Sequence, residues 1–360
     1  MIIRSLFLKD FRNYSEFEID FSSGLNFILG DNGQGKTNLI ESLYFSTHLK
    51  SFRTSRLGTV CRRNCASSRI ATELSKQDID QQLGITIDRG RKKVVLNGRI
   101  LCYISDFARS FFSLLFAPDQ LVFFKEYPSA RRAYFDRLLF LVDSRYCIWI
   151  KEFNRIKKQK SILLKRRERK GLDVWNGLLS EIIPKITAAR SAMAERINRS
   201  LSAVLYRLTG RSAELLIGYR DGFGGKVEMA SSEIDRFLYE KKERECESGY
   251  MHYGPHKDDF WISMDGNSNG RSFSQGEYRI SFLSLQLAVN RMISKEMRFR
   301  PILLLDDILS ELDANTCLKF VTYIADKANQ VFIASTSVPK RFLEMGTAYS
   351  IGQGRILGTS

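Results

Sequence analysis

Apolar and charged residues alternate near the start of the chain, where Phe17, Ile19 and Phe21 are separated by acids, the period-2 pattern of a half-buried strand. Leu25–Leu29 follows as a short apolar run closed by Gly30, a buried strand. The period changes after Lys36, where Leu39, Ile40, Leu43 and Tyr44 mark a helix. Alternation returns with Leu83, Ile85 and Ile87, a turn at Arg89-Gly90-Arg91, then Val94 and Leu96 and a second turn at Asn97-Gly98, which predicts antiparallel hairpins. From about Ser129 to Gly210 turn signals are sparse and Pro184 is the one proline, so this stretch reads as helical. Phe153, Ile156, Leu163 and Leu164 mark one stripe there. Ile182, Ile186, Ala189, Met193, Ile197, Leu201, Val204 and Leu208 mark a second. Gly171 and Asn176-Gly177 lie between the stripes and predict an antiparallel helical hairpin. Later the pattern predicts a helix to about Met297, a strand at Ile302–Leu305, a helix near Ala314–Lys327 and a strand at Val331–Ala334. Residues 1–110 and 246–360 thus read as two parts of one α/β lobe, with 111–245 as a mostly helical inserted lobe.

Charge adds a partner to this picture. Lys and Arg number 56 against 40 Asp and Glu, a formal charge of +16 on 360 residues. Such a surplus governs association more than fold and points to a polyanion. Half of it lies in residues 151–170, where ten basic residues accompany only Glu152 and Glu168. Because the apolar stripe persists, the segment reads as a helix with a basic outer face. Lys151, Arg155, Lys157, Lys158, Lys165, Arg166, Arg167 and Lys170 are its candidates for contact with a phosphate backbone, with an affinity that falls as salt rises. Nothing resembles a base-reading helix, so sequence-specific readout is not expected.

Other classes are disfavoured. Hydrophobic residues make up 44% of the chain, enough for a core, yet no stretch approaches the ~20 uncharged apolar residues of a bilayer span. Arg4 and Lys9 interrupt any signal-peptide core, so a cytoplasmic protein without membrane association is expected. Six cysteines (Cys61, Cys65, Cys102, Cys147, Cys246 and Cys317) are scattered, and Cys61 with Cys65 forms a lone CxxxC, read as structural. His252 and His256 stand near Asp258 and Asp259, but Gly254-Pro255 argues against the one-face helix a metal pair would use.

The chemistry concentrates in three motifs. Gly30-Asp31-Asn32-Gly33-Gln34-Gly35-Lys36-Thr37 is a complete GxxxxGKT between a predicted strand and helix. Its backbone N–H groups can cradle phosphate, Lys36 reaches the β- and γ-phosphates, and the Thr37 hydroxyl ligates Mg²⁺. Ile302–Asp307 is a buried parallel strand ending in two acids, Asp306 placed for Mg²⁺ and Asp307 for the attacking water. Lys36, Asp306 and Asp307 are therefore the catalytic candidates, with ATP and Mg²⁺ as cofactors. Ser274-Gln275-Gly276-Glu277 at a helix start resembles the signature motif of ABC-type ATPases, although Ser274 and Glu277 also have capping-box spacing. Ser310-Glu311-Leu312-Asp313 resembles their D-loop.

Five further segments make the resemblance specific. Leu8–Tyr14 with its FRNY, Lys50-Ser51-Phe52-Arg53-Thr54, the stretch from Ala117-Pro118-Asp119 through Pro128 and Arg131-Arg132 to Phe135-Asp136, Gly254–Asp259 and Leu303–Asp313 resemble, in order, the motifs of the RecF family. These are bacterial recombination-mediator ATPases related to SMC heads. The resemblance implies an ABC/SMC-type P-loop ATPase head with a second helical lobe and no long coiled coil. It implies that Arg12, Asn13 and Arg53 line the nucleotide pocket, and that Ser274 and Asp313 act in trans across an ATP-dependent homodimer. It further implies a weak, DNA-stimulated ATPase that clamps duplex DNA near single-strand gaps, works with RecR and helps load a recombinase, with roles in DNA replication and repair, the SOS response and single-stranded DNA binding. Three departures predict slow hydrolysis and an altered trans site: Tyr278 stands where the family has Gln, Ser335-Thr336-Ser337 where a switch His would be, and Asp307 where ABC enzymes have Glu. A transporter-type ABC ATPase and a small-molecule P-loop kinase are the competing classes; neither explains the basic segment, and the kinase has no use for the signature and D-loop motifs.

Overall fold

Alternating and unbroken apolar patterns resolve into two kinds of sheet in the structure, a computed structural model that describes residues 1–77, 79–101, 107, 111–225, 229–268, 273–297, 299–327 and 330–359. The chain divides into two units, residues 1–122, 204–211 and 282–360 in the first and 123–203 and 212–281 in the second. The sequence-drawn boundaries fall elsewhere: residues 111–122 and 204–211 pack with the first unit, and 246–281 with the second.

In the first unit the alternating segments form an antiparallel sheet ordered β2 (Tyr14–Asp20), β1 (Ile2–Phe11), β4 (Ser67–Lys76), β5 (Ile79–Asp88), β6 (Arg91–Leu96) and β7 (Arg99–Ile100). Asp88 pairs with Arg91, so Arg89-Gly90 is a two-residue turn, and both its φ angles are positive (46° and 75°) as such a turn requires. The unbroken runs form the second sheet, ordered β15 (Arg355–Thr359), β14 (Gly346–Gly352), β3 (Leu25–Leu29), β13 (Val331–Ser335), β12 (Ile302–Asp306) and β8 (Ser113–Phe116). From β14 to β8 neighbours are parallel, and β8, β12 and β13 are buried at every residue, which is why they read as continuous apolar runs. Helix α1 (Lys36–His48) touches β4 of one sheet and β8, β12 and β13 of the other. Ten of its thirteen residues are therefore buried, not one stripe alone. Its hydroxyls pair across the contacts, Ser46 with Thr72 at 2.7 Å and Thr47 with Ser113 at 2.7 Å. Parallel strands aim their C-terminal ends the same way, so the phosphate loop after β3 and the acids after β12 lie at one edge of the sheet.

Helix α2 (Pro118–Glu126) leads to α3 (Pro128–Val142), α4 (Ser144–Lys165), the long α5 (Leu172–Thr209), α6 (Ser231–Glu240) and α7 (Lys242–Ser248), all of the second unit except the end of α5 from residue 204, which belongs to the first. Asp143 caps α4 by accepting from the Arg145 N–H at 2.9 Å. The predicted α5 stripe is buried at every position except Ala189, which is half-buried. Two expectations need correction. Asn176-Gly177 lies inside α5 and not in the connection, which is residues 166–171 alone. The basic segment is not one helix: α4 ends at Lys165, and Arg166, Arg167 and Lys170 lie in that connection, where Arg167 adopts φ 54°. Gly171, also at positive φ (87°), closes it.

The second unit also holds an antiparallel sheet ordered β11 (Asn267–Ser268), β10 (Asp259–Met264) and β9 (Leu215–Arg220). Phe260 of β10 stacks on Phe135 of α3 with centroids 3.9 Å apart. Beside this contact lies a buried ion network. Arg190 donates to both oxygens of Asp136 at 2.9 Å, to Asp258 Oδ2 at 2.7 Å and to the Pro255 carbonyl at 2.6 Å. Tyr219 and the Gly222 N–H complete Asp258 at 2.6 and 2.8 Å, and Tyr146 donates to Asp136 at 2.6 Å. A buried carboxylate needs this many donors to stay charged. Arg131 grips Asp259 with two nitrogens at 2.9 and 3.0 Å. The chain then continues through α8 (Gln275–Met297), α9 (Ala314–Lys327) and α10 (Lys340–Leu343).

Candidate nucleotide site

The loop between β3 and α1 is shaped by what surrounds its glycines. A Cβ on Gly30 would lie 2.3 Å from the Ile351 carbonyl oxygen, and one on Gly35 2.6 Å from Asn13 Nδ2 and 2.9 Å from the Tyr14 hydroxyl. Gly35 also has φ 114°, which disfavours any side chain. Tyr14 donates to the Gly35 carbonyl at 3.0 Å and Asn13 to the Gln34 carbonyl at 3.2 Å, so the β1–β2 turn braces the loop. No side chain caps α1 and its first turn has no acid, leaving N–H groups open to an anion. Lys36 is 8% exposed and donates to the carbonyls of Gly30 and Asp31 at 2.7 and 2.9 Å, which holds its ammonium over the loop.

At the same sheet edge the Thr37 hydroxyl donates to Asp306 Oδ1 at 2.9 Å. Burial pushes the Asp306 carboxyl up to about 6, against the Thr37 hydrogen bond, with Asp307 adding to the rise. Hydroxyl and carboxylate are hard oxygen donors, and the pair fits a Mg²⁺ ion that keeps its other positions for water and phosphate. Asp307 lies one residue past β12 in a turn with φ 51°; its N–H donates to the Ala334 carbonyl at 3.0 Å and its own carbonyl accepts from Ser310 at 2.9 Å. Across from it Ser335 donates to the Ser337 carbonyl at 2.7 Å. Thr336 lines a hollow of about 520 Å³ together with Gly30, Asp31 and Gln34.

On the other side of the loop, Arg12, Asn13, Asn38 and Arg53 line an open hollow of about 630 Å³ that also includes Arg62 and Arg63. The residue that organises it is Glu41 on α1, which is fully buried. Arg12 donates to both its oxygens at 2.8 and 2.6 Å, Ser51 donates at 2.5 Å, and Arg53 lies 3.7 Å away. Asn38 bridges Asn13 at 2.8 Å and Arg53 at 3.0 Å. Glu41 and Asn38 were not foreseen from the sequence. The available signal was an acid inside the mostly apolar run Leu39–Phe45, where only a buried partner makes a charge tolerable.

Ser274 and Glu277 form a reciprocal capping box at the start of α8: the Ser274 hydroxyl accepts from the Glu277 N–H at 3.1 Å, and the Glu277 carboxylate from the Ser274 N–H at 3.1 Å. Ser274, Gln275 and Gly276 are exposed. Tyr278 turns inward, 5% exposed, with the Lys125 ammonium 5.3 Å from its ring centroid. Asp313 caps α9, accepting from the N–H groups of Asn315 and Thr316 at 3.1 and 3.0 Å. The phosphate loop, both acids and Asp313 lie in the first unit, and the signature residues in the second.

The family model for the RecF/RecN/SMC N-terminal domain matches residues 2–353. The chain belongs to the RecF family. It is 32% identical to the DNA replication and repair protein RecF of Staphylococcus carnosus over 99% of this chain and 100% of that one. It is 31% identical to that of Ruminiclostridium cellulolyticum over 94% and 93%. Among solved structures it is similar to the recombination mediator protein RecF-ATP in the RecFOR pathway, with 25% identity, a TM-score of 0.87 and coverage of 99% of this chain and 97% of that one. An SMC head bound to the C-winged helix domain of ScpA is 17% identical with a TM-score of 0.59 over 100% and 97%, which shows the shared head fold. The RecF-family chain is thus a mixed α/β, ABC-type ATPase head with a second lobe.

Within this RecF-family chain the basic candidates separate by environment. Lys151, Lys158, Lys165, Arg166, Arg167 and Lys170 are exposed and Lys157 is half-buried. Arg155 is exposed but pairs with Glu152 at 2.6 Å. Lys160, part of the same charge run, is buried 2.6 Å from the equally buried Glu245 and contributes nothing to the surface. His252 bonds Ser248 at 2.7 Å while His256 bonds the Met251 carbonyl at 3.0 Å. Asp258 and Asp259 serve arginines. Among the described residues no group of three or more His, Cys, Asp or Glu is placed to hold a metal. Five cysteines are free and Cys102 lies outside the described residues. No described helix is long and apolar enough to cross a membrane.

Proposed function

We propose that this chain is an ATP-switched DNA-binding recombination mediator that acts at replication gaps. ATP closes a homodimer that holds duplex DNA beside a single-strand gap, and slow, DNA-stimulated hydrolysis opens it. The observation that carries this reading is the exposed Ser274 capping box, which holds a hydroxyl at the solvent-facing start of a 23-residue helix. A helix start of this kind attracts an anion, and in the trans arrangement of ABC-type heads that anion is the γ-phosphate held by the partner copy. Asp313 joins the same interface.

In each site Lys36 and the α1 N–H groups hold the phosphates, and Gly30–Thr37 sets their position. Thr37 and Asp306 would hold Mg²⁺, which when bound neutralises charge on the β- and γ-oxygens. Asp307 orients the attacking water, and Arg12, Asn13 and Arg53 border the nucleotide. A carboxylate shorter by one methylene than Glu, with no histidine in residues 335–337, supports slow turnover. The similarity to RecF proteins of the RecFOR pathway supports RecR as partner and recombinase loading as outcome. DNA binding measured with and without ATP tests the proposal. Lys36→Met is expected to lose nucleotide binding, and Ser274→Arg to keep it while losing the ATP-dependent dimer. Normal dimerisation of Ser274→Arg would refute the trans role.

A further inference from the structure

A second basic concavity lies in the first unit, away from the nucleotide edge. Arg207 near the end of α5, Asn290, Arg291 and Ser294 on α8, Arg300 just before β12 and Tyr323 on α9 surround a hollow of about 360 Å³. Its position follows from the strand: Arg300 precedes β12 at one end, whereas Asp306 ends it at the other, roughly 13 Å along at the usual rise per residue. None of its lining residues borders the hollows on either side of the phosphate loop.

The lining is unbalanced. Among the described residues it contains three arginines and no acid, and none of the three has a carboxylate partner. Arginine stays protonated at all relevant pH, and its planar fork matches phosphate oxygens two at a time. Asn290 also borders the hollow, but it is 3% exposed and its Oδ1 has no accessible surface, so recognition there falls to the arginines.

We infer that this hollow binds a compact oligophosphate, free or carried on a nucleoside, at a site separate from the phosphate loop. Three cations offset most of the charge of a di- or triphosphate. A concavity of this size encloses a small anion, whereas a duplex backbone is better served by an exposed stripe such as the one that ends in Arg166, Arg167 and Lys170.

The test removes the phosphate loop from the signal. The full chain carrying Lys36→Ala is titrated by calorimetry with inorganic tripolyphosphate and with ADP, then compared with the same chain carrying Arg291→Ala and Arg300→Ala as well. Saturable binding of either probe, weakened about tenfold or more by the arginine changes, supports the site. The probe that binds more tightly identifies the free or nucleoside-borne form. Both arginines are exposed, so an unchanged melting temperature shows that the fold is intact. Absence of binding by the Lys36→Ala chain, or affinity indifferent to the arginine changes, overturns the inference. A loss of duplex DNA affinity with tripolyphosphate binding unchanged also overturns it and assigns the arginines to nucleic acid.

Discussion

The Thr37 hydroxyl donates to Asp306 Oδ1 across 2.9 Å, joining residues 269 positions apart at one corner of the nucleotide site. Asp306 is 5% exposed, so this hydrogen bond is part of what makes its burial tolerable. Thr37→Val is expected to destabilise the fold by about 1–3 kcal/mol, the cost of leaving a buried acceptor short of a donor, and Thr37→Ser to restore it. Urea unfolding of the three proteins decides the point. If Thr37 ligates Mg²⁺ as proposed, Mg²⁺-dependent ATP turnover of Thr37→Val should fall about 100-fold or more, since several kcal/mol of metal stabilisation would be lost.

Ser274 caps α8, and substitutions can separate that role from the proposed contact with a partner's phosphate. Thr keeps the capping hydroxyl, so Ser274→Thr should leave stability unchanged, while Ser274→Ala should cost about 1 kcal/mol. If the hydroxyl also meets a partner's phosphate, Ser274→Ala weakens the ATP-dependent dimer beyond what the cap explains. Sedimentation with and without ATP measures that difference, and equal dimerisation of all three proteins contradicts the trans role.

Arg190 neutralises Asp136 and Asp258 inside the second unit. Arg190→Met leaves Asp258 charged and buried and should cost about 3–5 kcal/mol. Adding Asp258→Asn removes the stranded charge and should recover part of the loss. A double-mutant cycle in urea reports the coupling; strictly additive effects would show that the two groups are independent.

His256 links folding to pH. Burial lowers its folded-state value to about 4 from the ordinary 6.5, with Lys157, Lys257 and Arg132 also opposing protonation and the Met251 carbonyl favouring it. The unfolded chain therefore binds this proton more readily. Its effect on stability is absent above pH 6.5 and grows as pH falls toward 4, reaching about 3 kcal/mol of destabilisation. His256→Gln should flatten the decline between those limits relative to wild type, as followed by urea midpoints.

The basic segment makes a graded prediction. Replacing Arg166, Arg167 and Lys170 by Ala should reduce the slope of log affinity for duplex DNA against log salt by up to about 0.9 per residue. Arg155→Ala should do less, since Glu152 already neutralises it. An unchanged slope in the triple variant would remove this connection from the DNA surface.

By itself the sequence determined what depends on neighbours along the chain. The GxxxxGKT loop, the Arg89-Gly90 and Asn97-Gly98 turns and the Ser274–Glu277 cap each operate over a few residues, and periodicity located the strands and helices that carry them. What a charge meets is different, because a counter-charge can lie anywhere. Lys160 and Lys158 look alike in a basic run, yet one is buried against Glu245 and the other faces solvent. Likewise Glu41 becomes the anchor of Arg12 only when the turn after β1 is brought to α1. The partner of β10 and the end of the basic helix were also decided by the tertiary structure. Strand pairing is long-range, and the alternation of Phe260, Ile262 and Met264 says that a strand exists without saying that β9 is its neighbour. Local sterics and periodicity are written in order along the chain; burial and charge pairing exist only once distant segments are brought together.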